Sequence, residues 1–442
     1  MVPRVQAQTS RAATLAVIVA ALGYFVDIYD LILFGMVRTA SLKDLGVVGK
    51  AALTSEGIYL LNMQMGGMLV GGVLWGVLGD KKGRLSVLFG SIAMYSLANL
   101  ANGFPFDWPT TVGMSHIDAY ALCRLVAGIG LAGELGAGIT LVSELMGKHN
   151  RGVGTTLVAA LGVSGGVVAG LIGGAFPGVG VHWTTAYYIG GFMGLALLAL
   201  RIGVVESGMF KSVLEKKQVS RGNFFRLFTS RKRFLRYLAI ICVGVPVWYV
   251  IAILFVFANE LGGALGLVPE PSPARSLFFC YGGCALGGVA AGMLSQRLQS
   301  RKRALGIFLG LSAVMCTLYF LLGGISSTVF YTLCCLGGAA SGYWAVFVST
   351  AAELFGTNLR ATVTTTVPNF VRGSAVLLTT GFQALTPSSG LIGAAIIVGV
   401  FAFAVAAFGL LSLKETFGVD LDFHETDDDA EPPVPKATAT SA

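Results

Sequence analysis

The stretch Glu144-Leu145-Met146-Gly147-Lys148-His149-Asn150-Arg151 returns 209 positions later as Glu353-Leu354-Phe355-Gly356-Thr357-Asn358-Leu359-Arg360. Both copies read Glu-Leu-x-Gly with an Arg seven residues beyond the Glu. Each follows a long apolar block, the fourth of the chain in one case and the tenth in the other. Apolar blocks fall at about 13–37, 57–79, 85–104, 119–146, 154–180, 184–203, 237–262, 276–296, 304–323, 329–353, 362–386 and 390–412. Each is long enough to cross a bilayer as a helix of about 20 residues. The 442 residues are 55% hydrophobic and only 12% charged, against about 25% charged in a soluble domain. The blocks are continuous rather than alternating, which excludes a β-barrel. The expectation is an all-α membrane protein of twelve transmembrane helices in two pseudo-symmetric six-helix bundles. Internal duplication of this kind is a transporter architecture.

Five segments are expected. Residues 1–12 form a cytoplasmic tail, 13–203 the first bundle, 204–235 a charged cytoplasmic linker, 236–412 the second bundle and 413–442 a disordered acidic tail. The linker carries a stretch, Asn223 to Phe228, suited to lying along anionic lipid. Basic residues set the orientation. The side of the termini carries Arg4, Arg11, Lys81, Lys82, Arg84, Lys148, Arg151, the block from Lys211 to Arg236, Arg297, Arg301 to Arg303 and Arg360; the opposite loops carry only Arg38, Lys43, Lys50 and Arg275. Both termini are therefore expected in the cytoplasm, and the chain as a multi-pass protein of the inner membrane. The first span is too long, and carries too much charge, for a cleaved signal peptide. The net charge of +8 is dispersed over short loops and does not call for nucleic acid.

The run Gly23-Tyr24-Phe25-Val26-Asp27-Ile28-Tyr29-Asp30-Leu31 puts two carboxylates in the middle of the first span. A charge at the bilayer centre costs about 2.5–3.5 kcal/mol on insertion scales. Spacing i, i+3 places both on one helix face, where desolvation and mutual repulsion favour proton uptake. Asp27 and Asp30 are expected as proton carriers, with Glu134 of the fourth span as a further protonatable site. Arg124 lies at the depth of Asp30 and is expected to pair with it, since a buried Arg needs an anion. Arg372 stands in the eleventh span with no acid in that span. A guanidinium facing a wet cavity is a bidentate receptor for carboxylate or phosphate. Gln64, Trp248, Tyr249, Tyr343, Trp344, Asn369 and Gln383 are expected to complete the pocket with Arg124 and Arg372.

The segment Gly76-Val77-Leu78-Gly79-Asp80-Lys81-Lys82-Gly83-Arg84 resembles the loop 2–3 signature of the major facilitator superfamily. Arg124 followed by Gly128, Gly130, Gly133 and Glu134 resembles that family's fourth-span motif. The resemblance covers about 13–412. It implies alternating access, with proton coupling at a first-span Asp in the Tyr29-Asp30 context; organic-acid and phosphate porters of the family carry an acid at the position of Glu134 and a cation at that of Arg372. Leu85, Ala132, Gln296 and Arg297 depart from the family's frequent residues. Gly76, Asp80, Gly83 and Arg84, with Glu144/Arg151 and Glu353/Arg360, are expected to form a cytoplasmic gate. Gly128, Gly130 and Gly133 also match a dinucleotide fingerprint, but no strand precedes them; close helix packing explains them.

Seven cysteines lie in apolar blocks without a CxxC pair, and the histidines lie in loops, at span ends or in the tail, so no metal, cofactor or enzymatic constellation is expected. The expected function is proton-coupled uptake of a small organic carboxylate by a monomer in the lipid bilayer. Phosphate or sugar symport and a transporter-like receptor remain as alternatives.

Overall fold

The computed structural model describes residues 2–82, 84–104, 113–134, 151–206, 224–419, 423 and 425; the side chains of 2–17, 79–86, 151–157, 159, 160, 203–206 and 361 are outside the description. Spans one to six contain α1 (Val2–Asp44), α2 (Lys50–Lys82), α3 (Arg84–Gly103), α4 (His116–Leu131), α5 (Arg151–Ile172) and α6 (Trp183–Glu206). The seventh span is α7 (Arg231–Tyr249), a π-helical segment (Val250–Phe255) and α8 (Ala258–Ala264). The eighth and ninth are α9 (Pro273–Leu298) and α10 (Arg301–Leu322). The tenth is split into α11 (Ser327–Ser341) and α12 (Trp344–Glu353), and the last two form one long α13 (Thr357–Ser412). Gly390, at φ 69°, separates the eleventh span from the twelfth, in a conformation that costs glycine little. Each of the twelve expected spans thus holds a helix in its described residues, the fifth ending at Ile172 rather than 180, and eight helices or helix pairs are long and apolar enough there to cross a membrane.

In the first bundle span one packs on five, two on four and three on six; in the second, seven lies along α13 and eight packs on ten. The bundles meet where span two faces eleven and span five faces eight. Small residues permit these approaches. A Cβ at Gly283 or Gly287 would strike the backbone of Cys335 or Ala339, the close packing that small residues give membrane helices.

Three features differ from expectation. The first helix does not end at 37 but continues to Asp44, so Arg38 is a buried helical residue rather than a loop cation. The seventh span is not uniform. Pro246 lies within it, removing a backbone donor to the preceding turn, and π geometry runs from Val250 to Phe255. Of the tail expected to be disordered from 413, the described residues 413–419, 423 and 425 lie against the base of the second bundle. Glu415 accepts hydrogen bonds from Ser300 Oγ and from the N–H of Arg301 at 2.8 Å, Thr416 at 2.9 Å and Phe417 at 2.9 Å. Burial pushes the Glu415 carboxyl up, but these donors outweigh it and hold it below the usual carboxylate range. Glu425 pairs with Arg236 at 2.7 Å and Arg233 at 3.6 Å.

Candidate transport site

Tyr24, Ile28 and Leu31 recur at i, i+4 and i+7 on α1 and line a cavity between the bundles. Val163 of span five, Trp248 of span seven, Tyr281 of span eight, Trp344 of span ten and Arg372 of span eleven close it. Its walls are almost wholly apolar and aromatic. The room open to the centre of a water-sized sphere is about 60 Å3, several times the roughly 10–15 Å3 that a single water needs. Glycines of span five admit the aromatic walls: a Cβ at Gly162 would strike the Tyr24 ring, and one at Gly166 the Tyr281 ring.

Arg372 is the cation of this cavity. Its side chain is 1% exposed, with Nη2 3.7 Å from Asp27 Oδ2, itself 0% exposed. The guanidinium carbon lies 5.9 Å from the centre of the Trp344 ring, and Nε and Nη1 have no hydrogen-bond partner within the protein. The ion pair joins the first bundle to the second across the cavity wall.

Asp27 and Asp30 do not share one environment. Three residues of helix turn through about 300°, leaving them about 60° apart. Asp27 reaches the bundle interface, whereas Asp30 points into the first bundle, where a Cβ at Gly190 of span six would strike its carboxylate. Neither carboxylate is among the cavity walls; Asp27 connects to the cavity through its pair with Arg372. Arg124 acts on it electrostatically, but the expected ion pair is not formed. Arg124 Nη2 donates instead to Asn99 Oδ1 at 2.6 Å, and the guanidinium lies over the Tyr187 ring at 4.4 Å. Asn99 lies beside both groups. Glu134 is held by Arg201, with Nη1 to Oε2 at 3.0 Å and a second contact from Nη2 to Oε1.

Of the expected substrate residues, Trp248, Trp344 and Arg372 line the cavity. The others lie elsewhere because each satisfies a backbone carbonyl or a side chain within the helix packing. Gln64 donates to Leu31 O at 3.1 Å, Tyr249 to Ala395 O at 2.8 Å and Tyr343 to Val243 O at 3.0 Å. Asn369 donates to Ala132 O at 2.7 Å, bridging the bundles. Arg124 lies inside the first bundle, and Gln383 donates to Ser55 at 3.3 Å on the face opposite the termini.

Of the expected gate, Gly83 and Glu144 are outside the described residues, and Asp80, Arg84 and Arg151 are described only as helix backbone. Gly76 faces Thr366 across the bundle interface. Glu353 pairs with Arg301 of span nine at 3.0 Å, not with Arg360, which donates to the carbonyls of Ala352 and Phe355. These contacts lie within the second bundle.

Reading the sequence missed a closure on the face opposite the termini. Arg38 Nη2 contacts both oxygens of Glu260 at 2.7 and 2.8 Å and Asn259 Oδ1 at 2.9 Å, while Nη1 donates to Leu53 O at 3.1 Å. Lys50–Glu270 and Thr379–Asn62 add further links between the bundles there. Tyr24, Tyr281 and Arg201 were also missed. The i, i+4 relation of Tyr24 to Ile28 was the signal for the first; Arg201 sits near a span end, where a cation is ordinary. Among the described residues no group of three His, Cys, Asp or Glu could hold a metal ion.

The Major Facilitator Superfamily pattern matches residues 14–380. This chain belongs to that superfamily. It is 28% identical over 390 residues to the 3-(3-hydroxy-phenyl)propionate transporter of Escherichia coli K12, covering 84% of this chain and 91% of the relative. It is 25% identical over 433 residues to a protein named as a probable 4-methylmuconolactone transporter of Cupriavidus pinatubonensis, covering 95% of each. Among solved structures, the proton:xylose symporter XylE bound to 6-bromo-6-deoxy-D-glucose shares the fold at a TM-score of 0.66 and 16% identity, over 94% of this chain and 98% of that one. The protein is thus a multi-pass membrane transporter of this superfamily.

Proposed function

We propose that the protein is a proton-coupled symporter that takes up a small organic carboxylate, with an aromatic acid fitting the cavity best. The observation that carries this reading is the Asp27–Arg372 pair at the edge of an aromatic, apolar cavity. With Asp27 ionised, Arg372 has its anion. With a proton on Asp27, a buried guanidinium is left without a counter-charge, a state that costs about 3–5 kcal/mol. A substrate carboxylate relieves it through charge-assisted hydrogen bonds to Nη1 and Nε, while its ring packs on Tyr24, Trp248, Tyr281 and Trp344. Proton and anion therefore load together. Loss of the proton on the other side restores the pair and expels the anion.

The named cargo of the Escherichia coli relative, a hydroxyphenylpropionate, has this shape. Inorganic phosphate or a sugar would leave several polar groups facing these walls unsatisfied, at about 1–3 kcal/mol each. The bundles, residues 13–203 and 236–412, are the bodies that rock about the site. In this reading the protein works as a monomer in the inner membrane of the cell with both termini in the cytoplasm, which the bias of basic residues toward the side of the termini supports. One proton per monoanion is electroneutral; a second proton would add about 2.3 kcal/mol per 100 mV.

The test is uptake into proteoliposomes under an imposed pH gradient, with 3-(3-hydroxyphenyl)propionate, benzoate, inorganic phosphate and xylose offered separately. An aromatic acid should accumulate and a protonophore should abolish the accumulation. Arg372→Ala should remove the thermal shift given by that acid while the protein stays folded. Accumulation indifferent to the gradient would sink the coupling, and uptake of phosphate or xylose alone would sink the carboxylate.

A further inference from the structure

The first bundle holds a column of buried polar side chains that the substrate cavity does not use. On the face opposite the termini, exposed Asp44 accepts from Trp183 Nε1 at 2.8 Å, and Trp183 stacks on Tyr120 at 5.7 Å. One layer deeper, the Tyr120 hydroxyl meets the Tyr187 hydroxyl at 2.9 Å and Ser41 Oγ at 3.3 Å, with Asn102 alongside. Arg124 and Asn99 follow, then Asp30. Beyond Asp27 the Glu134–Arg201 pair packs against Gly23, where a Cβ would strike both side chains. From Ser41 to Gly23 the first helix rises about 27 Å at 1.5 Å per residue, close to the roughly 30 Å hydrocarbon core of a bilayer.

Many atoms of this column have no hydrogen-bond partner within the protein. They include both oxygens of Asp30, both amide atoms of Asn102, Asn99 Nδ2, Tyr95 Oη, Ser96 Oγ, and Nε and Nη1 of Arg124. Each orphaned buried polar group costs about 1–3 kcal/mol unless water satisfies it, and clustered orphans satisfy one another through shared waters. Three buried tyrosines of the second bundle, Tyr249, Tyr319 and Tyr343, each donate to a backbone carbonyl, as Tyr29 of the first bundle does.

We propose that the first bundle contains a hydrated hydrogen-bonded column, running past Tyr120, Tyr187 and Asn99 to Asp30 and Asp27, that carries the proton by a route separate from the substrate path between the bundles. The proposal rests on the proton-symport reading above and deepens it. The charged and titratable groups facing Asp30 are Asp27 and Tyr29 from its own helix, Tyr95 from span three, Arg124 from span four and Tyr187 from span six. Among the described residues of the column, Asp27 alone forms an ion pair with Arg372, so these residues report to the substrate site at one point. Tyr120 and Tyr187 can each accept and donate a hydrogen bond, which lets a proton pass by exchange of partners with water.

Two measurements decide it. Radiolytic hydroxyl-radical footprinting of the intact protein marks side chains next to bound water. Tyr95, Tyr120 and Tyr187 should label at least fivefold faster than the equally buried Tyr249 and Tyr343; equal rates would overturn the hydrated column. The variant Tyr120→Phe/Tyr187→Phe keeps both rings and removes both hydroxyls. Its pH-driven uptake of 3-(3-hydroxyphenyl)propionate in proteoliposomes should fall at least fivefold, with counterflow exchange at equal pH within twofold of the unsubstituted protein. Strong labelling with undiminished gradient-driven uptake would leave a wet bundle but overturn the proton route. Absence of gradient-driven uptake in the unsubstituted protein overturns the symport reading and the route with it, while the labelling contrast still separates a hydrated bundle from a dry one.

Discussion

At the scale of single residues, Arg372 and Asp27 are mutually dependent, each buried and each the other's counter-charge across the bundle interface. Removing one partner of a buried pair costs about 3–5 kcal/mol, while removing both is far less harmful. Asp27→Asn should therefore lower the melting temperature of the empty protein, and an added aromatic carboxylate should restore more of it than in the unsubstituted protein. Arg372→Ala should lower it with no ligand rescue, and the double variant should melt above either single one. Differential scanning fluorimetry of the four proteins closes the cycle; additive losses would mean that the two side chains are not coupled. These residues were legible because a charge in an apolar run needs a reason. Their partners were not, because pairing depends on how helices rotate against each other. Arg124 has the depth expected for Asp30, yet the amide of Asn99 takes its guanidinium, and nothing in the local pattern of span three announces that.

At the scale of elements, the end of the first helix decides how one face is closed. An apolar-block reading stops at 37, since Arg38, Lys43 and Asp44 look like loop residues. The helix continues because Arg38 finds Glu260, Asn259 and two backbone carbonyls, and its charge lies over the Phe257 ring at 4.4 Å. That Glu260 belongs to α8, the segment after the π turn, so the pair couples an irregular element of one bundle to a regular one of the other. Arg38→Ala leaves Glu260 buried without this partner and should shift the population toward the form open on this face. Spin labels at Ser55→Cys and Gln383→Cys, which are hydrogen-bonded neighbours across the gap, should show a longer distance population in the Arg38→Ala background, and Arg38→Ala/Glu260→Gln should bring part of it back. An unchanged distance distribution would assign the closure to the helix packing alone.

At the scale of the whole molecule, the repeat of Glu-Leu-x-Gly foretells two bundles, and the second copy finds a partner that the repeat does not announce. Glu353 turns to Arg301 and to Thr416 of the tail at 2.7 Å, so the tail contributes to the base of the second bundle in a way an acidic composition does not reveal. Glu415, Phe423 and Glu425 tie three places together: the start of span nine through Glu415, the start of span seven through Glu425, and the turn before span eleven, where Thr357 N–H donates to Phe423 O at 2.8 Å and Asn358 Nδ2 to Glu425 O at 3.0 Å. Ending the chain after Ser412 removes the carboxylate from Arg233 and Arg236 and the acceptor from the first turn of α10, so the truncated protein should melt several degrees lower, whereas ending it after Glu425 should change little. Glu415 titrates below the usual carboxylate range in the folded state. Its contribution is therefore full at neutral pH and lost as pH falls through that depressed value. The melting difference between the two truncations should shrink in acid for that reason, and a difference that stays constant from neutral pH into strong acid would show that backbone contacts of the tail, not the Glu415 carboxylate, hold the base together.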